Sequence, residues 1–92
     1  MDQDQIQSRL ENALDDLAAI EHERWAHWQR YLHDQAERRG DGALILPADL
    51  VARWEAQIAC TFAQLSESEK DSDRDQVRRY LPRIVQALNG VG

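Results

Sequence analysis

The sequence predicts an all-α fold of three to four helices. The first observation is the spacing of apolar side chains, which recur every three or four residues in separate segments, as one face of an α-helix requires. The second is the pair Ser66 and Glu69, whose spacing is that of a capping box at a helix start. The third is the scarcity of residues that interrupt helices, which lie mainly at residues 40–42, at Pro47 and at Pro82. Together they predict a single helical domain over residues 1–92.

The N-terminal segment predicts one long helix, from about residue 5 to residue 38. At 1.5 Å per residue this helix would be about 50 Å long, so we expect it to protrude or to pair with another surface. Gly40 is suited to the left-handed conformation that ends many helices. One largely apolar face of this helix is formed by Leu10, Leu14, Leu17, Glu21, Trp25, Trp28 and Leu32.

A short extended segment and a second helix are predicted in the middle of the chain. The stretch "ALILP" is brief and apolar, and its proline, Pro47, suits the first position of a helix. The stretch "CTFAQL" is expected to leave that helix, with Phe62 and Leu65 packing inward. The buried face of the second helix is expected to contain Leu50, Val51, Trp54 and Ile58.

The last helix is predicted to begin after Ser66, where acidic residues in the first turns favour the positive end of the helix dipole. Pro82 lies inside this helix, where it removes one hydrogen bond and clashes with the preceding turn. We therefore expect a Pro-kinked helix or a break into two short helices. The apolar stripe contains Val77, Tyr80, Leu81, Ile84 and Leu88.

Composition excludes some classes of function. The formal net charge is -6, from 17 acidic and 11 basic residues, which argues against DNA as a partner because DNA sites need a basic face. Cys60 is the one cysteine, so neither an intrachain disulfide nor a thiolate cluster is expected, which fits a reducing cytoplasm. No secretory leader or apolar membrane-spanning run is recognised, so no membrane partner is expected.

The three histidines do not predict a metal site or a catalytic site. His22 and Glu23 begin a metalloprotease-like pattern, but Ala26 occupies the place of the second histidine. His27 comes one residue later, ~140° around the helix from His22, so the two cannot bind one metal from one helix. No nucleophile motif or phosphate-binding glycine loop is found either. We expect a protein without catalytic residues, metal or cofactor.

Glu21 is the most informative polar residue, because it lies in the middle of an apolar stripe. A buried carboxylate costs several kcal/mol unless it is paired, so an internal salt bridge to Arg24, Lys70 or Arg74 is one interpretation. A polar pocket is the other. If the first and last helices pack antiparallel, the pocket residues would be Glu21, His22, Lys70, Asp73 and Arg74, with Trp25 and Trp54 as apolar walls. A buried ion-pair network that fixes helix register remains an equal alternative.

Two stretches carry a family resemblance. "LAAIEHERW" and the later "FAQLSESEKDSDRDQV" resemble the ryanodine-receptor (RyR) domain pattern, with His22 and Trp25 in the first block and Lys70, Asp73 and Arg74 in the second. The G-W-x-x-G-like element of that family is missing from the middle of the chain. "EHERWAHWQRYLH" and "SEKDSDRDQVRRYLP" also resemble segments of small phage and prophage proteins. This second resemblance points to no particular activity.

The RyR resemblance implies a non-enzymatic module that senses or sequesters a small anionic ligand. Such a ligand would be nucleotide-derived, for example a cyclic nucleotide or an ADP-ribose derivative. Lys70 and Arg74 would hold its phosphate oxygens, and Trp25 or Trp54 would stack on its base. The alternative is a protein–protein interaction or oligomerisation module that acts through the long N-terminal helix. In both cases we expect a homo-oligomer.

Overall fold

The computed structural model describes residues 1–90 and divides the predicted N-terminal helix into two helices. Helix α1 spans Gln3–Asn12 and begins with a capping box in which the Asp2 carboxylate accepts from the Gln5 N–H at 2.9 Å. Helix α2 spans Leu14–Gln35, and Ala13 separates the two. The single helix from about residue 5 to 38 is therefore a wrong prediction. The chain turns at Ala13 because α1 packs against the last helix of the chain.

A small antiparallel hairpin follows α2, with strand β1 at Glu37–Arg38 and strand β2 at Leu44–Ile45. Its turn is stabilised by the Asp41 carboxylate, which accepts from the Ala43 N–H at 3.0 Å. Gly42 adopts a φ of 91°, which glycine tolerates better than other residues. In this turn the residue with positive φ is thus Gly42, whereas the sequence predicted a left-handed residue at Gly40; Gly90, after the last helix, also has a positive φ. The predicted extended segment corresponds to β2.

Helix α3 spans Ala48–Ile58 and begins directly after Pro47. The chain then leaves the helix, as predicted, and forms a single 3-10 turn at Phe62–Gln64. Helix α4 spans Glu67–Leu88 and begins with the predicted capping box, in which the Ser66 hydroxyl accepts from the Glu69 N–H. Pro82 lies inside α4, which continues through it as one helix rather than two. A kink at Pro82 stays a prediction.

The helices form one thin layer in which α2 and α4 run antiparallel. Two contacts fix this register, Asp16 with Arg83 and Glu21 with Tyr80. The molecule is elongated and flat, with principal-axis extents of 54 × 34 × 17 Å. Its radius of gyration is 18.0 Å, whereas a compact domain of this length has one of about 12 Å. The all-α prediction is confirmed in its coarse form, with the hairpin as an addition.

Few side chains are fully enclosed in this layer. Within residues 1–90, the buried apolar residues are Ala13, with no exposed surface, and Ala87, with 5% exposed. Both lie at the end of the molecule where α1, α2 and α4 meet. None of the helices in residues 1–90 is long and apolar enough to span a bilayer. At the other end of the molecule, the helices separate.

Candidate interaction groove

An open groove separates α2, α3 and the first half of α4 beyond the Glu21–Tyr80 contact. It encloses about 1140 Å³. Its apolar lining consists of Trp28, Tyr31, Trp54, Ile58, Leu65 and Val77. The helical spacing explains this lining, since Glu21, Arg24, Trp28 and Tyr31 recur every three or four residues and so share one side of α2. We call this feature the groove.

One edge of the groove contains a three-residue polar cluster. The Arg24 Nε donates to both Glu21 carboxylate oxygens at 3.1 and 3.0 Å, and the Tyr80 hydroxyl donates to the same carboxylate. The hydrogen bonds from Arg24 and Tyr80 lower the pKa of Glu21 to about 2. The same bond to Glu21 raises the pKa of Tyr80 above its usual value. The structure contains the internal salt bridge to Arg24, and Glu21 also lines the groove, so the pocket interpretation stays a prediction.

A second polar cluster holds α3 to α4. The Gln57 side-chain amide donates to the Glu69 carboxylate, which also accepts from the Ser66 backbone N–H at 3.0 Å. The pKa of Glu69 is lowered by the Ser66 backbone N–H and hydroxyl, and then by Gln57. This carboxylate therefore has two functions, because it completes the helix cap and anchors α3. Sequence reasoning identified the cap and missed the anchor.

The seven predicted ligand-binding residues do not converge in one place. Glu21, Trp54 and Asp73 line the groove. His22 and Trp25 stack on each other, with ring centroids 5.9 Å apart. Trp25 is 56% exposed, and neither residue is part of the groove lining. Their binding role stays a prediction, but the expected single cluster is not formed.

Lys70 and Arg74 lie on another side of α4, next to Phe62. Their charged groups are 5.9 and 5.6 Å from the centre of the Phe62 ring, within cation–π range. Both also pair with Glu67, at 3.4 and 3.3 Å. The physical reason for the separation is the face of α4: Lys70 and Arg74 each follow a groove-lining residue by one position, which turns them about 100° around the helix from the groove.

A smaller cavity of about 350 Å³ lies beside Phe62. It is lined by Phe62, Asp73, Arg74, Val77, Arg78 and Leu81. Arg74 pairs with Asp71 at 2.7 Å and Arg78 pairs with Asp75 at 2.6 Å, so both guanidinium groups have intrachain partners. We call this feature the Phe62 cavity. Asp73 and Val77 line both the groove and the Phe62 cavity, which lie on different sides of α4.

Sequence reasoning missed Tyr80, Arg53 and the Asp16–Arg83 pair. Arg53 and Tyr80 line the groove, and the Arg83 side chain, 15% exposed, donates to the Asp16 carboxylate at 2.8 Å. Tyr80 had a usable signal, because a tyrosine on a predicted apolar stripe needs a partner for its hydroxyl. Within residues 1–90, no group of three or more His, Cys, Asp or Glu side chains is arranged to hold a metal ion.

Comparisons of the chain with protein-family models, with curated proteins and with solved structures found no match. The resemblance to the RyR domain and to phage proteins therefore stays a prediction. The proposals that follow depend on the geometry of the groove and of the Phe62 cavity.

Proposed function

We propose that this chain is a non-enzymatic protein–protein interaction module that docks a partner polypeptide in the groove. The observation that carries the proposal is the exposure of the apolar groove lining. Ile58 is 76% exposed and Val77 53% exposed, whereas full burial within residues 1–90 is limited to Ala13 and Ala87. Monomeric proteins rarely expose large contiguous apolar patches, and such patches commonly mark interaction sites.

The side chains of the groove favour a polypeptide surface. Tryptophan, tyrosine and arginine are the residues enriched at the energetic centres of protein interfaces. The groove has two tryptophans, Trp28 and Trp54, with Arg53 next to Trp54 in the sequence. Apolar aromatic walls with charged groups at the edges also match the usual arrangement of an interface core and rim.

The charges of the groove disfavour a phosphate-bearing ligand there. Its lining contains the carboxylates Glu21, Glu69 and Asp73 against the guanidinium groups of Arg24 and Arg53. Arg24 is already engaged by Glu21. The lining also includes neither histidine nor cysteine, so it lacks the side chains that most often act as general base or thiol nucleophile.

Site-specific photo-crosslinking tests the proposal. A benzophenone amino acid at Ile58, in cells that produce the chain, is expected to yield an adduct with a second polypeptide at one discrete mass. The control is the same amino acid at Gln7, an exposed α1 residue outside the groove lining, where no discrete adduct is expected. Absence of any adduct at Ile58, or equal adducts at both positions, would refute the proposal.

Binding of a small anionic ligand is a second candidate, and the Phe62 cavity is the observation that favours it. Its volume of about 350 Å³ falls within the ~300–1,000 Å³ range of ligand pockets. An aromatic ring beside Arg74 and Arg78 suits a base next to a phosphate group. Lys70, Asp73 and Arg74, which match the RyR pattern, lie at or beside this cavity, so a relation to that family belongs to this candidate.

Thermal-shift measurements with cyclic nucleotides and ADP-ribose test the second candidate. A stabilisation that Arg74→Ala removes and Arg79→Ala retains would support it, because Arg79 is exposed and does not line the cavity. The absence of any shift with these compounds would refute it. The two tests have separate readouts, because Ile58 does not line the Phe62 cavity and Arg74 does not line the groove.

A bend of α4 at Pro82 belongs to the same proposal. Proline inside a helix removes a backbone hydrogen bond and commonly kinks the axis. Pro82 lies between the packed Ala87 end and the groove-lining half of α4. A bend there would set the angle at which Val77 and Asp73 face α3.

We also propose that the protein acts in the cytoplasm of a bacterial host. Cys60 is an exposed free thiol. A reducing compartment keeps such thiols from forming disulfides with other molecules.

A further inference from the structure

We infer that the occupant of the groove is a second copy of this chain, docked around a two-fold axis so that α3 of each copy covers the groove of the other. The inference rests on the proposed function and names its partner. It is carried by two independent observations, the excess surface of the single chain and the charges at the edges of the groove.

The surface area of the chain is too large for a closed monomer. The accessible surface is 7076 Å², whereas a compact monomer of this mass has about 5,500 Å². The excess is therefore on the order of 1,600 Å² per chain. If two copies bury this excess against each other, the interface measures about 3,200 Å², within the range of about 2,000–5,000 Å² typical of obligate homodimers.

The groove carries two opposite charges, Arg53 and Asp73, that form no direct salt bridge within residues 1–90, although the charge of Arg53 helps to lower the pKa of Glu69. Arg53 projects from the α3 wall and Asp73 from the α4 wall. A two-fold interface places the same patch of both copies in contact, so an α3 wall meets an α4 wall twice. Arg53 of one copy then faces Asp73 of the partner subunit, and the reciprocal pair forms across the axis.

The apolar residues of the groove suit the same arrangement. Ile58 is at the end of α3, and it is the most exposed of the large apolar side chains described. Trp28 on α2 and Val77 on α4 form the opposite walls of the groove. Covering these walls with α3 of a second copy removes all three side chains from water, which the single chain cannot do.

Light scattering coupled to size-exclusion chromatography tests the inference on the full chain. The wild type is expected to elute at twice the chain mass and to dissociate only on strong dilution. Ile58→Glu introduces a carboxylate at the centre of each half of the interface and is expected to give monomer at every concentration tested. A wild type that is monomeric at high concentration would overturn the inference.

Charge reversal gives a second test that does not depend on core packing. Arg53→Glu and Asp73→Lys are exposed substitutions, and each is expected to raise the dimer dissociation constant at least about tenfold, the change that about 1.4 kcal/mol produces. The double variant restores opposite charges across the interface and is expected to recover most of this loss. Arg79→Glu with Asp34→Lys makes the same charge changes outside the groove lining and is expected to leave association unchanged.

The outcomes separate this inference from the proposed function. A wild-type dimer that is unaffected by Ile58→Glu and by both charge reversals would have another interface, and the inference would be wrong. A monomeric wild type whose Ile58 crosslinks to a different polypeptide would also overturn the second copy as the occupant, while the interaction module would stand. A monomer without any crosslink would refute both.

Discussion

The two ends of this thin helical layer differ in how they are held together. At the closed end, α1 and the start of α2 pack on the last turns of α4, and they enclose Ala13 and Ala87. At the open end, the cluster of Gln57, Ser66 and Glu69 joins α3 to α4, while Ile58 remains largely exposed. The closed end is therefore held by contacts within the chain, and we propose that the open end is completed by another molecule.

Small residues make the closed end possible. Ala13 has no exposed surface and Ala87 is 5% exposed, so a larger side chain at either position would have to displace its neighbours. The open end has its large apolar residues around an open groove of about 1140 Å³. A side chain enlarged by three carbon atoms should therefore destabilise the closed end much more than the open end, which is the sharpest way to test the contrast.

Ala87→Leu at the closed end is expected to have the largest effect on stability. Overpacking a tightly packed site costs about 1–3 kcal/mol in the free energy of unfolding. The matched control is Ala56→Leu, an exposed position near the end of α3, which should change it by less than about 0.5 kcal/mol. Urea denaturation at one fixed protein concentration measures both variants. Equal losses would contradict the division into a closed and an open end.

Ser66→Ala tests the hydrogen-bonded anchor of the open end and is expected to have an intermediate effect. The substitution removes the hydroxyl that caps α4 and loosens the position of Glu69, at a cost of about 1 kcal/mol. Ser8→Ala, at an exposed position inside α1, is the control and should be neutral or slightly stabilising because alanine favours helix. Hydrogen exchange would locate the change, which we expect in the first turns of α4. A loss of protection at the closed end would contradict this assignment.

Local signals in the sequence predicted much of the fold. The capping box at Ser66 depends on residues three apart, and the structure contains it with both hydrogen bonds. The second helix and its end before Phe62 follow from Pro47 and from the loss of apolar spacing, whereas the 3-10 turn at Phe62–Gln64 was not predicted. These features need no knowledge of the tertiary structure, because neighbours along the chain provide the stabilising groups.

The break at Ala13 and the composition of the site depend on contacts between distant residues. Alanine has the highest helix propensity, so nothing local predicts that a helix ends there. The break instead allows α1 to pack against α4. The partner of Glu21 likewise depends on the α2–α4 register, and the sequence offered Lys70 and Arg74 as well as Arg24. A different register would have brought other residues to Glu21, so the Tyr80 contact could not be derived from one sequence.

The contact of Glu21 with Tyr80 forms the junction between the two ends. Glu21→Gln tests this junction and is expected to have the smallest effect on the free energy of unfolding. Because the folded-state pKa of Glu21 is about 2, below its ordinary value of 4.5, its carboxylate contributes stability above pH 4.5. That contribution is lost as the pH falls from 4.5 through about 2. The carboxylate is half-exposed, so solvent screening reduces its contribution.

Unfolding free energies between pH 7 and pH 2 measure this effect. The wild type should exceed Glu21→Gln in stability near pH 7, and the two curves should converge as the pH approaches 2. Glu23→Gln is the control, because Glu23 is exposed on the same helix and has no side-chain hydrogen bond within residues 1–90. A wild-type advantage that persists unchanged in acid would show that Glu21 acts through packing rather than through its charge. The junction would then belong to the closed end of the molecule.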